Sequence, residues 1–234
     1  MFVIIGASKG LGKSLYSDFY ENDLLLISRT KIETKKENHH HLQIDINNFD
    51  YSILKKYIDR KKIKGIFFTV GIVSDNDNFN LSNKDKDNIL NTNFNSITKI
   101  NEYLIKNNAY ENNCLICFCS SVTTFLPRSK QVIYCASKNA LDSYFLSFRS
   151  YCKNKKLNLR TCNLILGFIE TDMNKGKKTF FPKKNPDEIS HYIKNYFKTL
   201  NGKKYIPFYW LFIKIILILT PNIIKNFLIN KLNI

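Results

Sequence analysis

Tyr134 and Lys138 stand four residues apart in Tyr134-Cys135-Ala136-Ser137-Lys138, thirteen residues after Ser121. On a helix that spacing puts both side chains on one face. An ammonium beside a phenol favours the phenolate, and so lowers a tyrosine pKa that otherwise lies near ~10. Such a phenol can give a proton to a carbonyl oxygen or take one from an alcohol. Ser121 can hydrogen-bond the same oxygen as negative charge develops on it. Taken alone, the tyrosine–lysine pair recurs by chance in many helices. Its weight comes from the other end of the chain.

There Phe2-Val3-Ile4-Ile5 runs straight into Gly6-Ala7-Ser8-Lys9-Gly10-Leu11-Gly12. A glycine turn that leaves a buried strand and opens a helix lets the backbone approach a pyrophosphate, and the helix amino terminus offers unpaired N–H groups to it. The spacing G-x-x-x-G-x-G differs from G-x-G-x-x-G while serving the same purpose, so Gly6, Ser8, Lys9, Gly10, Leu11 and Gly12 are expected to hold a dinucleotide. A carboxylate at the end of the second strand would repel a 2'-phosphate. This chain has Ser28-Arg29-Thr30 there and Lys9 in the loop, two cations suited to phosphate, and this favours NADP over NAD. The bland alternative is that Lys9 and Arg29 are solvated charges of a basic chain.

The elements that must position these residues alternate. Apolar runs predict strands at residues 2–5, 23–28, 41–44, 63–69, 114–120 and 157–166, separated by helices at 11–20, 51–58, 82–106 and 132–152. This rhythm implies a single-domain α/β fold, a doubly wound parallel sheet of the Rossmann type. Residues 1–206 form that domain, and 207–234 an apolar, helical carboxyl-terminal tail.

With Gly6, Gly10, Gly12, Ser121, Tyr134 and Lys138 in place, the chain resembles the short-chain dehydrogenase/reductase family from Phe2 to about Tyr205. The resemblance implies a seven-stranded sheet. It also implies an adenine contact at Asp45, a nicotinamide-ribose contact at Lys138, and a fourth catalytic residue at Asn93 supporting a water in a proton relay. Two stretches depart from the family pattern. Its Asn-Asn-Ala-Gly is Phe68-Thr69-Val70-Gly71 here, keeping only Gly71, so the adjacent backbone must be supported differently. Its Pro-Gly is Leu166-Gly167, followed by Phe168-Ile169-Glu170-Thr171. Loss of the proline should free the chain near nicotinamide, while Gly167, Ile169 and Thr171 are still expected at the cofactor, Thr171 at the carboxamide.

The 36 Lys and Arg residues against 19 Asp and Glu give a net charge of +17, which favours anionic ligands or surfaces. No nucleic-acid reader motif accompanies it, and nucleic acid is excluded as a partner. The six cysteines lie in apolar runs and read as free thiols; Cys114 and Cys117, at an odd offset in one strand, should point to opposite faces. His39-His40-His41 reads as an exposed loop without metal partners, so no metal is expected. No secretory signal precedes the first strand, which argues for a cytoplasmic location. In the tail, Pro207 to Pro221 is apolar, interrupted by Lys214 and too short to cross a bilayer. It either lies in a membrane interface at the inner face or packs on the domain or at a dimer contact. The expected substrate is a small or lipid-linked carbonyl or alcohol, turned over by a homo-oligomer, with residues 172–185 and the tail setting specificity. The competing reading, a non-catalytic dinucleotide-binding sensor or scaffold, has no use for all of Asn93, Ser121, Tyr134 and Lys138.

Overall fold

Continuous apolar runs become buried strands in the computed structural model, which describes residues 1–74, 80–171 and 181–221. β1 (Phe2–Ile5) and β2 (Leu24–Ser28) are buried at every position, as strands covered on both faces must be. β3 (His39–Gln43), β4 (Ile63–Phe68), β5 (Tyr110–Ser121), β6 (Leu159–Leu166) and β7 (Gly202–Ile206) complete one parallel sheet in the order β3-β2-β1-β4-β5-β6-β7. The order runs outward in both directions from β1 and β4. A crevice therefore opens at their carboxyl ends, where ligands of such sheets bind.

The period-two alternation of each strand divides the core between the two faces. Val3, Ile5, Leu25, Ile27, Phe68 and Phe118 meet one set of helices, α4 (Ser96–Lys106) and α5 (Val132–Asn154), through Ile97, Ile100, Leu141 and Phe145. Ile4, Leu24, Leu26, Phe67 and Leu164 meet α1 (Gly10–Asp18) and α6 (Pro186–Asn195) through Leu11, Leu15, Ile189 and Ile193. Hydrogen bonds of Ser14 to Asp187 and Ser190 to Asp18, both 2.5 Å, tie α1 to α6. Cys114 packs in the first core and Cys117 in the second, as their offset requires, and all six cysteines are buried free thiols.

The short α2 (Lys55–Ile58) closes the 51–58 stretch, and α3 (Asn83–Leu90) leads into α4 through a π-helical turn at Asn91–Asn95. The histidine run corrects the sequence reading: it is β3, not an exposed loop. His39 is buried, with Nε2 2.9 Å from the Tyr20 carbonyl oxygen and its ring edge-on to Tyr16 and Tyr20. Among the described residues no group of three or more His, Cys, Asp or Glu could hold a metal.

The tail begins as α7 (Tyr209–Leu219), which packs Trp210 and Leu217 onto Val122, Leu126 and Ile165 in a third, smaller core. One face of the tail is thus part of the domain. Residues 222–234 of the tail lie outside the described residues, as do 172–180 of the stretch expected to set specificity. No described helix is long and apolar enough to cross a membrane.

Candidate active site

The turn from β1 into α1 has the backbone that its glycines permit. Gly6 and Gly10 have φ of 93° and 48°, in the left-handed region that side chains disfavour. A Cβ on Gly12 would stand 2.1 Å from the Gly6 carbonyl oxygen, so the helix could not approach the strand with any other residue there. No side chain caps α1, and its first turn carries no acidic residue. Its amino-terminal N–H groups are left for an anion. The fit to a pyrophosphate is good.

This turn forms one wall of a cleft of about 400 Å³ at the carboxyl ends of the strands. Ser8, Lys9, Leu11, Arg29, Asp45, Gly71, Gly167, Ile169 and Thr171 line it together with Gly6, Gly10, Ser121, Tyr134 and Lys138. Ser28, Arg29 and Thr30 stand at one end, where β2 finishes, with no carboxylate among them. Asp45, just beyond β3, accepts a 3.0 Å hydrogen bond from the Asn47 N–H. Thr171 closes over the glycine turn: a Cβ on Gly10 would meet its methyl group at 3.1 Å.

Gly12 and Asn93 are the expected residues that do not reach the cleft. Asn93 stands behind its wall, fully buried in the π-helical turn, a distortion that recurs at functional sites. Its amide donates to the Ile72 carbonyl at 2.9 Å and to Ser137 Oγ at 3.0 Å, and its oxygen accepts from the Ile72 N–H at 2.8 Å. Thr69 adds the second support, donating through N and Oγ1 to the Ile5 carbonyl at 2.9 and 2.8 Å. These contacts are how the backbone after β4 is held without the family's asparagines.

At the other end, β5 delivers Ser121 and α5 delivers Tyr134 and Lys138. Ser121 accepts from the Thr123 N–H at 3.2 Å and is hydrogen-bonded to the Tyr134 hydroxyl. Lys138 is buried, its Nζ donating to the Cys119 carbonyl at 2.9 Å and lying 5.8 Å from the centre of the Tyr134 ring. Electrostatics correct the sequence expectation of an acidified phenol. Burial raises the Tyr134 pKa, against the smaller lowering effects of the Ser121 hydrogen bond and the Arg128 charge. The same burial lowers Lys138 from 10.5 to about 8. Desolvation is the largest effect on both groups, so the phenol holds its proton more tightly than a free tyrosine and the ammonium less tightly than a free lysine.

A second correction concerns Gly167. Its segment is not freed by the missing proline, because Trp210 packs on it so closely that a Cβ on Gly167 would fall 2.1 Å from the indole Nε1. The Gly167 N–H also donates to the Ile206 carbonyl at 2.9 Å. Sequence reasoning missed this partnership, since nothing in the tail's composition says which of its aromatics turns inward. It also missed Arg128, whose guanidinium lies 4.5 Å over the Phe168 ring. His41 was a third omission. Its Nδ1 accepts from the Ile32 N–H at 3.3 Å, which makes Nε2 the protonated nitrogen facing Ser28 Oγ at 2.9 Å. Ser28 in turn donates to the Thr30 carbonyl at 2.7 Å, so an imidazole shapes the turn that carries Arg29.

Comparison with known proteins agrees with this fold. The model of the short chain dehydrogenase family matches residues 1–180. The 3-oxoacyl-(acyl-carrier-protein) reductase FabG of Buchnera aphidicola subsp. Schizaphis graminum is 28% identical over 200 residues, covering 80% of each chain. A short chain dehydrogenase from Burkholderia cenocepacia, solved in complex with NADP, superposes with a TM-score of 0.77 at 17% identity, over 99% of this chain and 96% of that one. One from Francisella tularensis subsp. tularensis superposes at 0.72 and 20% identity, over 88% and 96% of the chains. A 4-hydroxyisoleucine dehydrogenase, complexed with NADH and succinate, superposes at 0.71 and 15% identity, over 88% and 97%. These structural likenesses extend to the fold.

Proposed function

The chain belongs to the short-chain dehydrogenase family and is an NAD(P)-dependent oxidoreductase; on that premise we propose that it uses NADP to interconvert a carbonyl compound and a secondary alcohol, with Tyr134 moving the proton. The observation that carries this reading is convergence. Ser121 from β5, and Tyr134 and Lys138 from α5, open into the same cleft as the glycine turn. A sensor or scaffold would need only the turn.

Bound at the turn, the dinucleotide supplies or accepts the hydride at the nicotinamide. The protein's own groups do the rest. The amino terminus of α1 would hold the pyrophosphate, and Lys138 would hold the nicotinamide ribose. Ser121 Oγ and the Tyr134 hydroxyl together bind the carbonyl oxygen, stabilising the charge that grows there. Tyr134 then gives its proton to that oxygen, so that C=O becomes CH–OH. Asn93 acts from behind by clamping Ile72, which keeps Gly71 beside the lysine; a Cβ on Gly71 would be 3.4 Å from Lys138 Nζ. A phenol is protonated at neutral pH to begin with, and burial raises its pKa further, so Tyr134 carries the proton that a carbonyl reduction uses.

The choice of NADP rests on Arg29 and Lys9 in the cleft wall and on the absence of a carboxylate at the end of β2. Titrating both cofactors against the wild type and Arg29→Asp tests it. The wild type should bind NADPH more tightly than NADH, and the variant should lose roughly ten-fold or more of its NADPH affinity while gaining on NADH. A wild type that already prefers NADH would overturn the assignment of both cations.

A further inference from the structure

α7 has two apolar faces, and the domain covers only one of them. Trp210 and Leu217 point inward, while Phe208, just before the helix, and Phe212, Ile215, Ile216 and Leu219 within it point outward. Their spacing of i, i+4, i+7, i+8 and i+11 makes one continuous stripe. Exposure rises from 45% at Ile215 to 77% at Leu219, values that no core packing accounts for. The helix's one charged residue, Lys214, reaches sideways to the Tyr205 hydroxyl at 2.8 Å and leaves the stripe free of charge. A monomer seldom shows water a stripe of this size without a partner for it.

We propose that this stripe docks on the surface of an anionic lipid bilayer. Charge selects that occupant. A chain of net charge +17 is drawn to anionic lipid. Length fixes the pose: eleven helical residues span ~16 Å, about half of a hydrocarbon core, so the helix lies in the interface and does not cross. Across that helix, its opposite face carries Trp210, packed on Gly167 in the cleft wall. The docked stripe therefore stands one helix diameter, ~10 Å, from the cleft. Resting on the proposed oxidoreductase activity, this placement makes an amphiphilic carbonyl compound dissolved in the bilayer the fitting class of substrate.

Sedimentation of the full-length protein with vesicles, without any turnover, tests the docking apart from the chemistry. Binding is expected to vesicles of mixed phosphatidylcholine and phosphatidylglycerol, weaker in high salt. The double variant F212E/I216E should lose at least roughly ten-fold in vesicle affinity while still binding NADPH. Equal sedimentation of wild type and variant would overturn the proposal and assign the binding to diffuse charge. So would a concentration-dependent dimer that the variant abolishes in the absence of vesicle binding, which would give the stripe to a second copy. Should the variant fail to bind NADPH, Phe212→Trp decides: it sets an indole in the exposed stripe itself, and brominated-chain lipids should quench the added emission if α7 docks; unchanged emission would refute docking.

Discussion

Burial governs both groups proposed to handle the proton. Tyr134 is pushed up and Lys138 down to about 8, so near neutrality one is a reliable acid and the other is close to losing its charge. The sign for activity follows. Above about 8 the lysine is neutral, and its hold on the ribose and its support of a developing phenolate both fade. The pH profile of kcat/KM for NADPH-dependent reduction should therefore fall as pH rises through that value. A profile that stays flat well beyond it would contradict the burial of a working ammonium. Stability has the opposite sign: the unfolded chain keeps this proton up to 10.5 and the fold releases it from about 8, so the contribution of Lys138 to stability rises with pH across that window. The residue costs stability where it serves chemistry.

Among the elements, α7 is the one for which the sequence left two places open, the membrane interface and the surface of the domain or a dimer. Its Trp210 fills the space a side chain at Gly167 would occupy, which couples the tail to the cleft wall. Gly167→Ala should therefore destabilise the domain by about 1–3 kcal/mol through overpacking and weaken NADPH binding. Urea unfolding of Gly167→Ala alone and combined with Trp210→Leu would show it, the second change restoring part of the loss. Wild-type stability in the single variant would mean that the indole does not sit there. The strands were more legible. Phe2–Ile5, Leu24–Ile27 and Ile66–Phe68 are apolar runs, and each is buried throughout. β7 was implied only by family resemblance, because an edge strand half open to water tolerates Lys203 and Lys204. α6 went unread although Asn185 caps it, Pro186 opens it and Asp187 and Glu188 fill its first turn. The histidines of β3 looked polar because a sequence does not show that Tyr16 and Tyr20 shelter His39.

At the scale of the whole molecule, the cleft draws on the ends of β1, β2, β4, β5 and β6 together with α5, so no single segment holds the chemistry. The glycine turn, Ser121, Tyr134 and Lys138 were readable in sequence because their spacing along a strand or a helix fixes their direction. Their mutual placement, the clamp of Asn93 on Ile72 and the inverted electrostatics needed three dimensions. The proposed function turns on the Tyr134 hydroxyl as the proton donor. The most direct test is Tyr134→Phe, which removes one oxygen and keeps the ring, assayed for NADPH-dependent carbonyl reduction and, separately, for NADPH binding. The account predicts NADPH affinity close to wild type and turnover reduced by roughly a hundred-fold or more. Turnover above about a tenth of wild type, with the cofactor bound normally, would contradict it.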